Sequence, residues 1–142
     1  MRKRAAYGVG IPIMYQGSWS VSYLHSICLS HDPTFTLSER MELNLAVFRH
    51  TYPDHDHNLY GIEEGREFIR NHFETAVVDA FDRLVPLAYK ADLLRYCLLY
   101  VRGGIYSDIG ISHFFPIPEH EKNTLYVFRD AHSAAHGLFQ PR

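Results

Sequence analysis

Cysteine is scarce. The chain has 142 residues and two cysteines, Cys28 and Cys97. Two thiols make no disulfide framework, which excludes the small cross-linked scaffolds that secreted chains use in place of a core. Cys97 lies inside an apolar helical pattern and reads as a buried free thiol. An excess of one charge is also missing. Fourteen Lys and Arg against sixteen Asp and Glu leave a net charge of −2 and a pI near 6.5. That balance excludes a surface built for nucleic acid or anionic membrane, either of which needs a basic face. No long apolar run occurs. The opening Met1-Arg2-Lys3-Arg4 is basic, but the stretch behind it is cut by Gly8, Gly10 and Pro12, too soon for a signal h-region or a membrane span. The expectation is a cytoplasmic chain. No Asn-x-Ser/Thr acceptor, internal repeat, low-complexity tract or linker is visible, so residues 1–142 read as a single domain large enough to bury one core.

What is present is a helical and β-strand alternation. Ile11–Tyr15 reads as a first strand and Gln16 to Trp19 as a turn. Thr36 and Glu39 have capping-box spacing and predict a helix through about His50, with Leu43, Ala46 and Val47 on its apolar face. Pro53 ends it, and the polar run Asp54 to Asn58 leads to a short strand around Leu59-Tyr60. Ile62–Phe73 and Thr75–Leu84 predict two further helices. The strongest helix spans Pro86–Arg102, where Leu87, Ala91, Leu94, Leu98 and Val101 form one stripe. Gly103 supplies the stop, Gly104–Ser107 a strand, and Thr124–Arg129 another. Helices alternating with short strands predict an α/β fold with a largely parallel sheet.

Two polar constellations compete for the chemistry. On α-helical spacing Asp92 and Arg95 share a face; alone they are a surface ion pair. Sixteen residues on, Asp108 stands at the carboxyl end of the Gly104–Ser107 strand, the place where open α/β sheets bind ligands and where a carboxylate can meet a divalent cation and a diphosphate. The other constellation is His50, Asp54, His55, Asp56 and His57, whose side chains could ligate zinc in a hydrolase but whose flanks suit a solvated loop. His113, His120, His132 and His136 show no ligand spacing and read as surface or loop residues.

The run Ala91-Asp92-Leu93-Leu94-Arg95-Tyr96, followed by Gly103-Gly104-Ile105-Tyr106-Ser107-Asp108, resembles the signature of DXD-containing glycosyltransferases. The group it is most similar to is the sugar-binding-region family of initiating α-1,6-mannosyltransferases (family 32), which shares its core with glucosylating toxin catalytic domains. Ile11 to Trp19 resembles that family's first strand, and Tyr52-Pro53-Asp54 with Leu59-Tyr60 a later segment. The resemblance implies a GT-A-like nucleotide-sugar-binding fold, a mostly parallel sheet flanked by helices, truncated in its C-terminal part. It implies a UDP- or GDP-hexose donor, a glycan, lipid or protein acceptor, and Mn2+ or Mg2+. By the same resemblance Trp19 stacks on the base, Asp92 and Arg95 grip the donor sugar and diphosphate, Tyr106 lies near the donor, and Asp108 is the first DXD aspartate and metal ligand. Asp108 and Arg95 carry the catalytic roles in that reading. Gly110 stands where the second aspartate is usual, so weak metal binding is implied, and a non-catalytic remnant is the alternative. A Golgi lumenal or membrane-associated setting is the expectation if the chain is a fragment.

Overall fold

A computed structural model describes residues 23–117, all within one compact unit, Tyr15–Pro118. Its elements run β1 (Tyr23–Ile27), α1 (Glu39–Thr51), β2 (Asp56–Tyr60), α2 (Ile62–His72), α3 (Thr75–Arg83), α4 (Leu87–Arg102) and β3 (Ile105–Tyr106). The three strands pair in the order β2-β1-β3, both pairings parallel, with Leu24 opposite both His57 and Ile105. This is the α/β architecture expected, a parallel sheet flanked by helices and consistent with a GT-A-like fold. The strands anticipated at Ile11–Tyr15 and Thr124–Arg129 lie outside the described residues.

The central strand, β1, is not anticipated from the sequence. Tyr-Leu-His-Ser-Ile shows no clean alternation, because a strand hydrogen-bonded on both edges and covered on both faces has no solvent side to mark. One face carries Ile27 into a core with Tyr60, Phe68, Ile69, Val78, Phe81, Leu94, Cys97 and Leu98, from β2, α2, α3 and α4. The other carries Leu24 against Phe48 of α1, Tyr52 at the C-cap of α1, and Ile105 of β3. The sheet is therefore sandwiched, with α1 on one side and α4 on the other.

α1 corrects two expectations. Its N-cap is Ser38, whose hydroxyl accepts from the Met41 N–H at 3.4 Å, rather than Thr36. Its buried residues are Asn44, Leu45 and Phe48, while Leu43 is 63% exposed. Starting the helix at Glu39 makes Leu45, Phe48 and Tyr52 the inward stripe, at spacings of three and four; the aromatics bury more area than Ala46 and Val47 would. The expected strand at Leu59-Tyr60 starts earlier, at Asp56, because pairing with β1 draws in polar residues as far as the Asp56–Tyr23 register.

α4 follows the sequence closely. Leu94 and Leu98 are fully buried and Leu87, Ala91 and Val101 partly so. Cys97 is buried and free, its thiol pushed up to about 11 by burial. Lys90 is buried too, which the periodicity does not suggest. Its Nζ donates to the carbonyls of Phe81 and Asp82 and lies 4.7 Å from the Phe81 ring centroid. Those carbonyls sit in the last turn of α3, which leaves them short of intrahelical partners. Replacing Lys90 by Met keeps the stem and strands the carbonyls; urea unfolding should show a loss of about 2 kcal/mol.

Among the described residues no helix is long and apolar enough to cross a membrane.

Candidate functional site

The site begins with a helix stop. Gly103 ends α4 at φ +66°, its N–H donating to Leu99, and Gly104 follows at φ +88°. This double reversal turns the chain directly from α4 into β3, so the outer half of the helix returns beside the strand. Tyr106 pairs in register with His25 and faces α4. Arg95 reaches it from the helix: its Cζ stands 5.3 Å from the Tyr106 ring centroid and 5.7 Å from that of Tyr96.

Around that stack the other side chains expected from the sequence assemble. Arg95 Nη2 donates to the Asp92 carboxylate one turn earlier on α4. The Tyr106 hydroxyl donates to Asp108 Oδ1 at 2.6 Å. Burial, then the bond to Asp108 and its negative charge, hold the Tyr106 phenol above its usual range, so it remains a donor. Asp108 itself is exposed, just past the carboxyl end of β3. The four residues form one chain of contacts, Asp92–Arg95–Tyr106–Asp108. Arg95 Nε is buried and has no hydrogen-bond partner among the described residues. A guanidinium backed by a carboxylate and flanked by two rings suits a polar anionic group, and the exposed carboxylate suits hydroxyls or a cation.

Gly110 has open space around it, and a Cβ at that position would meet nothing within 4 Å. Among the described residues no group of three His, Cys, Asp or Glu side chains is placed to hold a metal ion. Trp19 lies outside the described residues.

The histidine-rich segment is assembled differently from the solvated loop expected. His57 sits inside β2, half-buried, accepting at Nδ1 from Arg49 Nε at 2.7 Å and reaching Ser26 Oγ from Nε2 at 3.3 Å. Burial, with the Arg49 charge beside it, pulls its pKa down to about 4. With both ring nitrogens engaged, His57 is no free metal ligand; His55 packs edge-on against Tyr52 at 5.3 Å. His113 is also no simple surface residue: it stacks on Phe48 at 4.6 Å and meets Ser107 Oγ at 2.6 Å. His120, His132 and His136 lie outside the described residues.

Sequence reasoning misses the polar residues that hold the loop behind Asp108. Asn44, buried on α1, donates to the Ile109 carbonyl at 3.0 Å and accepts from the Ser112 hydroxyl. A polar residue beside the Leu45–Phe48–Tyr52 stripe is the available signal.

Comparison with known proteins then bears on this arrangement. Residues 27–125, well over half of the chain, match the family described as the glycosyltransferase sugar-binding region containing DXD motif. The chain belongs to this family. The matched range includes Asp92, Arg95, Tyr106 and Asp108 and begins after Trp19. Two curated relatives agree in kind. An uncharacterized glycosyltransferase of Acanthamoeba polyphaga mimivirus is 41% identical over 44 residues, covering 31% of this chain and 18% of the relative. The initiation-specific alpha-1,6-mannosyltransferase of Saccharomyces cerevisiae is 37% identical over 67 residues, covering 46% of this chain and 14% of the relative. The chain thus matches less than a fifth of the length of either relative. No solved structure matches it.

Proposed function

We propose that this chain forms the donor-binding part of a glycosyltransferase that moves a hexose from a UDP- or GDP-sugar to a hydroxyl of a glycan, lipid or protein. The observation that carries the reading is Arg95. Its guanidinium is fixed between Asp92 and the Tyr106 ring, keeps a buried Nε without a partner among the described residues, and leads through Tyr106 to an exposed Asp108 at a strand's carboxyl end. Arg95 would neutralise the leaving diphosphate, and Asp92 would accept from sugar hydroxyls. Trp19, by its resemblance, would stack on the base. The acceptor oxygen forms the new bond to the anomeric carbon as the bond to the diphosphate breaks. The electron pair leaves with the diphosphate, which also takes up the hydroxyl proton. Stabilising that departing charge is the protein's main task.

If a divalent cation, Mn2+ or Mg2+, takes part, Asp108 would be the residue that holds it, and its charge would help offset that of the donor's phosphates. With Gly110 in the second position, Asp108 would hold the cation with little help from the chain, so it should bind weakly without the donor.

Isothermal titration of the whole chain with UDP-glucose, UDP-N-acetylglucosamine and GDP-mannose, with and without Mn2+, tests the proposal. One donor should bind, and both Asp108→Ala and Arg95→Ala should weaken it by roughly 10- to 100-fold, the value of one charge-assisted contact. Gly110→Asp, entering open space, should make binding respond more steeply to Mn2+. A folded wild-type chain that binds none of the three would reduce the reading to a glycosyltransferase-like remnant.

A further inference from the structure

We infer that Asn44 is a positioning residue for Asp108, acting through the turn Asp108–Ser112 without touching the donor. The inference rests on the donor-site reading above and assigns to α1 a role that its place on the opposite face of the sheet does not suggest.

Asp108 follows a strand of only two residues, and the segment behind it forms no regular element. Left to itself, an exposed carboxylate on such a segment would sample many positions, at a cost to any ligand that needs one of them. The turn has a local bond, Ile111 N–H to the Asp108 carbonyl at 2.9 Å. What fixes it to the body of the fold is α1. Asn44 is 4% exposed and grips the turn at both ends: its Nδ2 donates to the Ile109 carbonyl, one residue past Asp108, and its Oδ1 accepts from the Ser112 hydroxyl. Because one bond is donated and the other accepted, the amide can occupy one orientation only. Farther along, α1 continues the attachment: the Thr51 hydroxyl donates to the His113 carbonyl at 2.5 Å, and the Tyr52 hydroxyl accepts from the Ile117 N–H at 2.8 Å. From the other side, Tyr106 holds the Asp108 carboxylate itself. The carboxylate is thus set by two hydrogen-bonded struts, one from the sheet and one from α1.

A buried asparagine with both ends of its amide used is costly to place, since either bond lost strands a polar group. The polar choice makes physical sense as a device that ties an otherwise irregular segment to a rigid helix.

The test uses Asn44→Leu, which keeps the branched side-chain shape and removes both bonds, and Ser112→Ala, which removes one and places no strain on α1. Lys90→Met serves as a destabilised control remote from the loop in sequence. Two readouts are taken on the whole chain under conditions where each variant is folded: hydrogen exchange of amides 109–112, and titration with whichever of UDP-glucose, UDP-N-acetylglucosamine and GDP-mannose the wild type binds. Asn44→Leu should lose protection in that turn and bind the donor at least roughly tenfold more weakly. Ser112→Ala should show a smaller shift in the same direction, and Lys90→Met none. Wild-type-like donor affinity in a folded Asn44→Leu, or in Ser112→Ala should Asn44→Leu not fold, overturns the inference and leaves the donor-site reading intact. Failure of the wild type to bind any donor removes that reading and the inference together.

Discussion

Gly104→Ala is expected to destabilise the chain by roughly 2–5 kcal/mol, combining the cost of a left-handed φ on a residue with a Cβ and the cost of overpacking. Two independent constraints meet at this position. Its φ is +88°, and a Cβ built on it would lie 2.3 Å from the Tyr23 carbonyl oxygen. That obstacle is backbone in the central strand, so no rotamer change relieves it. The chain must either shift β1 or detach β3, and β3 has little to resist with: two register pairs, Leu24–Ile105 and His25–Tyr106, and the Ser107 N–H donating to the His25 carbonyl at 3.0 Å. Gly110→Ala is the matched control. It enters open space, so its effect on stability should stay within about 0.5 kcal/mol. Chemical denaturation of both variants beside the wild type checks the pair. Equal stabilities would show that the α4–β3 reversal tolerates a side chain and that the glycine pair does not set the position of Asp108.

The legibility of this fold follows the local signal. α4 can be read because its stripe is long and regular and its end is marked by glycine; α2 and α3 can be read because each has one buried face. β1 cannot. Buried between two strands and two layers, it carries two polar residues, His25 and Ser26, one on each face, and both are almost fully enclosed. α1 is legible as a helix, but its face is not. Leu43, Ala46 and Val47 form a plausible stripe, and only the sheet decides that Phe48 and Tyr52 face inward.

The site divides the same way. Asp92, Arg95, Tyr106 and Asp108 are legible in the sequence because they lie close together on a helix, a turn and a strand, whose geometry is nearly forced. Asn44 and His113 are not, because their contacts span long stretches of chain, Asn44 to Ile109 and Phe48 to His113, and nothing in the intervening residues encodes the meeting. The histidine cluster misleads for the reverse reason. Its density suggests a metal, yet strand pairing and Arg49 commit His57 to a structural role.

That structural use of histidine sets the response to acid. His25 is fully buried in β1, and its Nε2 donates to the Gly103 carbonyl at 2.9 Å, tying the central strand to the stop of α4. A carbonyl can only accept, so the proton sits on Nε2 and Nδ1 is a bare lone pair with no partner among the described residues. Protonating Nδ1 would bury a charge. Burial first, and then the charge of Arg102 and the nearness of His57, lower the His25 pKa to about 4 against an ordinary 6.5, although the bond to Gly103 works the other way. The sign follows from proton counts. Between these values the unfolded chain binds the proton that the folded chain refuses, so stability is full above pH 6.5 and falls as pH drops towards 4. At full protonation His25 alone removes about 3 kcal/mol. His57, half-buried and also lowered to about 4, adds in the same direction but less, since solvent screens it. Unfolding free energies measured from about pH 7.5 to about pH 4.5 should therefore decline below the ordinary histidine value, ahead of the carboxylates. In His25→Gln, which can still donate to Gly103 but cannot titrate, the slope in that window should flatten by the larger share. An unchanged slope in that variant would mean that His25 is protonated without cost, and that β1 is not held to α4 through a neutral imidazole.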